Sequence, residues 1–219
     1  MSNNSTSRSN EFCSELQLRL KYHLYINSSC IIASIPKFAS NSMCNELIQL
    51  CEYCGFVQEN DAYGYTQATV DLEVDRTPEV REWLLDRHLI EAVTRCIKWS
   101  HGQTISAFDD VFVVKYNTSP GKGQVELIRH YDSGDVSFMV ALSPRSAYTG
   151  GGTEFDALRQ EERSVLHLEQ GELLIFNAAL YHSGVPILAG TRYLLVGFCY
   201  TSDEAARTTG NLDLKLLQI

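Results

Sequence analysis

Val111-Phe-Val-Val-Lys-Tyr116 opens the stretch that decides the fold. After it come short β-rich runs at 124–130, 136–142, 153–155, 164–167, 173–176 and 192–200, separated by Gly, Pro, Ser and Asn. β-branched and aromatic residues in runs of this length, broken at short intervals by turn formers, spell a sandwich or barrel. The segment ahead is mixed. Residues 18–26 alternate and 30–35 are apolar, which reads as a hairpin. Ser40 or Ser42 can cap a helix over Asn41–Cys54 that turns Leu47, Ile48, Leu50 and Cys51 inward and stops at Gly55. Residues 66–74 alternate again, Thr69 and Asp71 opposite Val70 and Leu72. Thr77-Pro78-Glu79 reads as an N-cap, a proline in the first turn and an acidic start, with the helix running to about residue 100 and a possible break near Asp86. Helices placed before the strands can cover one sheet face. The expected class is α+β, mainly β.

The chain has 219 residues, ample for one core and short for two. Its 44% apolar and 21% charged residues are ordinary for a globular domain. No run approaches the length of a membrane span. The Ser/Asn-rich residues 1–10 lack the apolar centre of a signal peptide and read as a disordered, untargeted tail, leaving 11–219 as a single domain. Seven scattered cysteines fit reduced thiols and a cytoplasmic location. Cys51 and Cys54 form a CxxC, but no second pair or nearby histidine completes a zinc site, so buried thiols are the better reading. A net charge of −9 without a Lys/Arg cluster opposes nucleic-acid binding and is mildly friendly to a basic substrate.

Leu127-Ile-Arg-His130-Tyr-Asp132 carries the chemistry. His130 and Asp132 lie two apart at a strand end, so their side chains leave the same face and can share a metal. His182, fifty residues later, can supply the third ligand. Two histidines and one carboxylate leave coordination positions open, as non-haem Fe(II) oxygenases require. Arg192 follows His182 by ten residues, after Pro186 and Gly190. A hairpin there would set Arg192 on the strand beside that of His182, its guanidinium ready to grip a carboxylate bidentately. Tyr116 could add a hydroxyl to the same carboxylate.

These pieces, with Gly150-Gly-Gly-Thr-Glu-Phe155, Gly171, Tyr181-His182-Ser-Gly184-Val-Pro186 and Gly190-Thr-Arg192-Tyr193, resemble the prolyl 4-hydroxylase and procollagen lysyl hydroxylase superfamily over about residues 109–200. The lysyl branch looks closer, because Arg192 stands where the prolyl branch usually carries a lysine. The resemblance implies a double-stranded β-helix (jelly-roll) barrel with N-terminal helices on one sheet. It implies iron on His130, Asp132 and His182, and 2-oxoglutarate on Arg192, with Tyr116 and Ser137 as further contacts of the co-substrate. The implied activity is a dioxygenase that uses Fe(II), 2-oxoglutarate, O2 and, in this family, ascorbate. It would hydroxylate a peptidyl lysine or proline, or else a small molecule. The oligomeric state is not legible.

Blander readings apply elsewhere. His167 reads as a strand residue, and Trp83 and Trp99 as core. Gly150–Gly152 is a turn feeding a strand, since no GKS/T follows. A nucleic-acid demethylase would carry a second arginine six residues after Arg192, where Phe198 stands. A non-catalytic jelly-roll module that binds iron or 2-oxoglutarate is the remaining alternative. Substrate would enter at the open barrel end between loops 117–123 and 145–151, where Tyr148 could touch it. Asp135 is the nearest acid by sequence to meet a lysine.

Overall fold

Strands β1 (Tyr22–Ile26) and β2 (Ser29–Ile35) form the expected antiparallel hairpin in the computed structural model, which describes residues 22–26, 29–59, 69–118, 123–158 and 165–201. The tail at 1–10 and the segment after Thr201 lie outside the described residues.

Helix α1 (Asn41–Cys54) follows. Ser40 is its cap, its hydroxyl accepting from the Met43 amide at 3.2 Å, and Gly55 ends it at φ 92°. After β3 (Val57–Glu59) and β4 (Thr69–Glu73) come two helices, α2 (Pro78–Asp86) and α3 (Leu89–His101), broken at His88 in the left-handed conformation. Thr77 stands at the N-cap of α2 with Pro78 in the first turn, as expected, but its hydroxyl makes no capping bond and donates to the Glu73 carbonyl at 2.9 Å.

The remaining strands are β5 (Ala107–Asn117), β6 (Leu127–His130), β7 (Val136–Ala141), β8 (Tyr148–Gly150), β9 (Thr153–Phe155), β10 (Val165–Leu166), β11 (Leu173–Asn177), β12 (His182–Gly184) and β13 (Ile187–Tyr200). Among the described residues, one sheet runs β1-β2-β11-β7-β13-β5-β4-β3, with β8 on the near end of β13. The other runs β10-β9-β12-β6. The pairings are antiparallel throughout, and the two sheets face each other as the expected jelly roll.

All six residues of β7 are buried, because the large sheet is covered on both sides. Val136, Phe138 and Val140 join Leu47, Val80 and Val93 in the core under the helices. Met139 and Ala141 join Phe155, Phe176 and Leu194 inside the barrel. That two-sided burial accounts for an apolar run rather than a clean alternation. Cys51 and Cys96 are fully buried, and burial pushes both thiols up to about 12. Such thiols are poor nucleophiles and metal ligands, which suits packing.

One connection departs from the sequence reading. His182 and Arg192 are not on adjacent strands: β12 belongs to the small sheet and β13 to the large one. The chain crosses between sheets around Pro186, whose carbonyl accepts from the Gly151 amide at 2.8 Å. It then runs without a break from Ile187 to Tyr200. Gly190 permits this run past β8. It has φ +86°, and a Cβ there would lie 2.0 Å from the Ala147 carbonyl oxygen. Gly190→Ala is therefore expected to destabilise the protein by about 2 kcal/mol or more, read as a lower denaturant midpoint at unchanged m.

Candidate active site

β6 and β12 are paired with His130 opposite His182, which sets the two imidazoles side by side, ring centroids 4.3 Å apart. Asp132 follows β6, its amide held by the Ala178 carbonyl at 3.0 Å. The carboxylate is buried and lies 3.3 Å from His130 Nε2 and 3.6 Å from His182 Nε2. One ligand atom from each of the three residues falls within 4.8 Å of the others.

The second nitrogen of each ring fixes its tautomer. His130 Nδ1 faces the Ile128 carbonyl at 2.7 Å and His182 Nδ1 faces that of Leu180 at 2.9 Å. A carbonyl only accepts, so each Nδ1 carries the proton and each Nε2 lone pair points inward, as a metal ligand needs. Phe155 and Phe176 wall His182 at 5.5 and 4.9 Å. Burial lowers the His182 pKa, partly offset by Asp132. Burial works the same way on His130, but its hydrogen bonds to Asp132 and Ile128 outweigh it and the net shift is upward.

Across the barrel, Arg192 is only 2% exposed. Its guanidinium donates to the Gly152 carbonyl at 3.1 Å and to the Thr153 hydroxyl at 3.4 Å, and its buried Nε has no hydrogen-bond partner among the described residues. No described carboxylate pairs with it. Tyr116 is its register neighbour on β5, the ring 5.4 Å from the guanidinium, and Tyr148 lies at 6.0 Å on another side. Burial raises the Tyr116 pKa, with Arg192 opposing, so its hydroxyl is a hydrogen-bond donor at neutral pH. A buried cation with a spare donor is the receptor for an anion that enters from the cavity.

Both groups line one cavity of about 840 Å3. The structure thus brings His130, Asp132, His182, Arg192 and Tyr116 together. Ser137 faces the barrel interior with an unpartnered hydroxyl, at the register level of Phe198, and is not part of the cavity lining. Asp135 is corrected as a substrate acid: its carboxylate accepts from the Thr201 amide and hydroxyl at 2.7 and 2.8 Å. Tyr148 is buried against Arg145 and Arg192 rather than displayed to substrate. Of the entry loop 117–123, residues 119–122 lie outside the described residues.

Sequence reasoning missed Thr153, which bridges Arg192 and the Met139 sulfur, although it stands inside the quoted Gly-rich motif. It also missed the mouth. Tyr131 and Tyr181, each next to a histidine of the triad, stack edge-on at 5.4 Å, half exposed. The Arg129 guanidinium lies 4.1 Å above the Tyr181 ring.

A jelly roll with two histidines, one carboxylate and a buried arginine in one cavity defines the architecture of the Fe(II)/2-oxoglutarate oxygenases. Comparison with known proteins narrows this. No family model matches the chain. The rat multifunctional procollagen lysine hydroxylase and glycosyltransferase LH3 is 31% identical over 171 residues, 73% of this chain and 22% of that protein. A PKHD-type hydroxylase of Hyphomonas neptunium is 30% identical over 142 residues, 62% of this chain and 60% of its own length. The chain spans about a fifth of the procollagen-lysine relatives it matches. In fold it is similar to a Trichoplax adhaerens prolyl hydroxylase solved with a hypoxia-inducible-factor peptide. The TM-score is 0.64 at 16% identity, over 95% of this chain and 97% of that one. The chain is thus similar in sequence to procollagen lysine hydroxylases and in fold to a prolyl hydroxylase.

Proposed function

We propose that this protein is an Fe(II)- and 2-oxoglutarate-dependent dioxygenase that hydroxylates a peptidyl lysine or proline side chain. The overall change is insertion of one oxygen atom into a substrate C–H bond, with 2-oxoglutarate converted to succinate and CO2. The observation that carries the reading is the convergence of the His130, Asp132 and His182 ligand atoms in the cavity that also holds the unpaired Arg192. The residues fit the implied groups. Two inward Nε2 lone pairs and a carboxylate suit Fe(II), and the buried guanidinium suits the far carboxylate of the co-substrate.

Iron, when bound with 2-oxoglutarate and O2, supplies the redox chemistry. The protein's own residues do the rest. His130, Asp132 and His182 would hold the metal through their three converging ligand atoms. Arg192, with Thr153 and the Tyr116 hydroxyl, would hold the remote carboxylate and so orient the opposite end of the co-substrate toward the triad. Phe155, Phe176, Leu194 and Val196 keep the interior apolar around that charge, which strengthens each electrostatic contact.

The peptide class rests on the relatives: procollagen lysine in the names of the sequence relatives, and a bound peptide in the Trichoplax structure. Residues 11–219 act as one catalytic domain with its barrel core at about 109–200. Ascorbate dependence rests on the resemblance alone. Cytoplasmic residence rests on the free thiols; no helix among the described residues is long and apolar enough to cross a membrane. The test is mass spectrometry of Lys- and Pro-containing peptide libraries incubated with the protein, Fe(II), 2-oxoglutarate and O2. Addition of one oxygen to a lysine or proline is the expected result. Hydroxylation of a free small molecule with none of any peptide would leave the oxygenase standing and remove the peptide class.

A further inference from the structure

His130 owes its direction to an irregularity in β6. Across the pair with β12, His182 stands opposite His130 but Gly184 stands opposite Leu127, so β6 carries one residue more than its partner over the same span. Ile128 and Arg129 form this bulge, facing Ser183. In an uninterrupted strand Leu127 and His130 would leave opposite faces. The extra residue turns both inward: Leu127 packs against the barrel core, and His130 Nε2 comes to 3.3 Å from Asp132. The two bulge residues are exposed. The carbonyl that faces His130 Nδ1 at 2.7 Å is that of Ile128, inside the bulge. The bulge thus sets both where the ring points and which nitrogen carries its proton.

A bulge breaks the hydrogen-bond ladder, and the side chains on it can hold its shape. Arg129 does so with two partners. Its Nε and Nη2 both donate to Asp156 Oδ2, the former at 2.7 Å, and its guanidinium lies 4.1 Å over the Tyr181 ring. Asp156 directly follows β9 and Tyr181 directly precedes β12, and the Asp156 amide donates to the Tyr181 carbonyl at 3.0 Å. Because the sheet order is β9-β12-β6, the arginine side chain reaches past the strand of His182 and ties β6 to the end of β9. Tyr131 completes the set, edge-on to Tyr181 at 5.4 Å. Both chain neighbours of His130 therefore rest on the ring of the residue ahead of His182.

The geometry points to Arg129 as a positioning residue of the metal centre: locked to Asp156 and Tyr181, it fixes the β6 bulge and so holds the His130 imidazole in the direction and tautomer of a metal ligand. The inference rests on the oxygenase reading above and deepens it. Arg129 touches no ligand atom of the triad, so it acts on how well the site is formed before a metal arrives. With its side chain 51% exposed, the ion pair adds little to the fold, and its effect belongs at His130 rather than in the melting temperature.

The experiment uses Arg129→Ala, Asp156→Ala, the double variant and Arg129→Lys in the full chain. Fe(II) affinity, titrated without O2, is expected to fall about tenfold in either alanine variant. It should fall no further in the double variant, because each single change already opens the same clasp. Arg129→Lys keeps the charge without the planar fork and is expected to recover part of the loss. The melting temperature of the metal-free protein should move by less than about 2 °C. Ring-nitrogen NMR of the metal-free protein at alkaline pH should show the His130 proton on Nδ1 in the wild type and a mixture of tautomers in Arg129→Ala. The His182 signals should stay put, since its Nδ1 is held by Leu180. Unchanged Fe(II) affinity in Arg129→Ala, additive losses in the double variant, or an Nδ1 proton fully retained on His130 would overturn the inference and leave the oxygenase reading intact. If the wild type binds no Fe(II), the oxygenase reading fails, and the ring-nitrogen spectra alone decide whether Arg129 positions His130.

Discussion

His182→Ala is expected to remove Fe(II) binding and, with it, 2-oxoglutarate turnover, a loss of at least about 100-fold. Among the described residues the imidazole belongs to the one cluster that could hold the metal, and its Nε2 lies near the same Asp132 oxygen as that of His130. Two remaining ligands cannot fix the geometry. Because His182 also packs on Phe155 and Phe176, the variant leaves a void, and a thermal melt must show that the barrel persists. Asp132→Ala is the companion, since it removes the only carboxylate of the triad. Fe(II) affinity and succinate formation are the measurements. Near-native turnover in His182→Ala would show that the metal sits elsewhere.

Arg192→Ala should separate the two ligands. Iron affinity stays, and 2-oxoglutarate binding weakens by about 2–5 kcal/mol, or roughly 30- to several thousand-fold. Most of that range reflects leaving the co-substrate's carboxylate buried among Tyr116, Tyr148 and Leu194 without a counter-charge. Arg192→Lys keeps the charge but loses the planar fork and is expected to fall between the two. An unchanged KM for 2-oxoglutarate in Arg192→Ala would take the residue out of the site.

The sequence told more about the cluster of His130, Asp132 and His182 than about its surroundings, for a physical reason. HxD spacing is local: two residues apart on a strand share a face wherever the strand lies. The helix bounds at Asn41–Cys54 were legible because Ser40 and Gly55 are local start and stop signals. Where Arg192 sits is not local. Pro186 reads as a turn in any topology, and only the pairing of β13 with β5 and β7 shows that it moves the chain to the other sheet. The cavity-lining face of β4 was visible as an alternation of Thr69 and Asp71 with Val70 and Leu72. A polar face on a strand looks solvated until a second sheet is seen to close over it. Asp135 failed for the converse reason: nearness in sequence to Asp132 says nothing of Thr201, sixty-six residues away, which holds its carboxylate.

The layout of the large sheet also sets when the site comes into being. Arg192 is paired with Tyr116, and β2 lies against β11, where the buried Ser34 hydroxyl meets Glu172 across 138 residues. Contacts of such span give a high contact order and slow closure. A nascent chain that has emerged only as far as Gly184 already carries His130, Asp132 and His182, yet lacks the long strand that gives the large sheet its centre. His130 and His182 stand on β6 and β12, paired within the small sheet, so the three candidate metal ligands are all made before the arginine. A carboxylate site on Arg192 would be completed only when β13 joins the large sheet, and a bound co-substrate would add to native stability by mass action from that point.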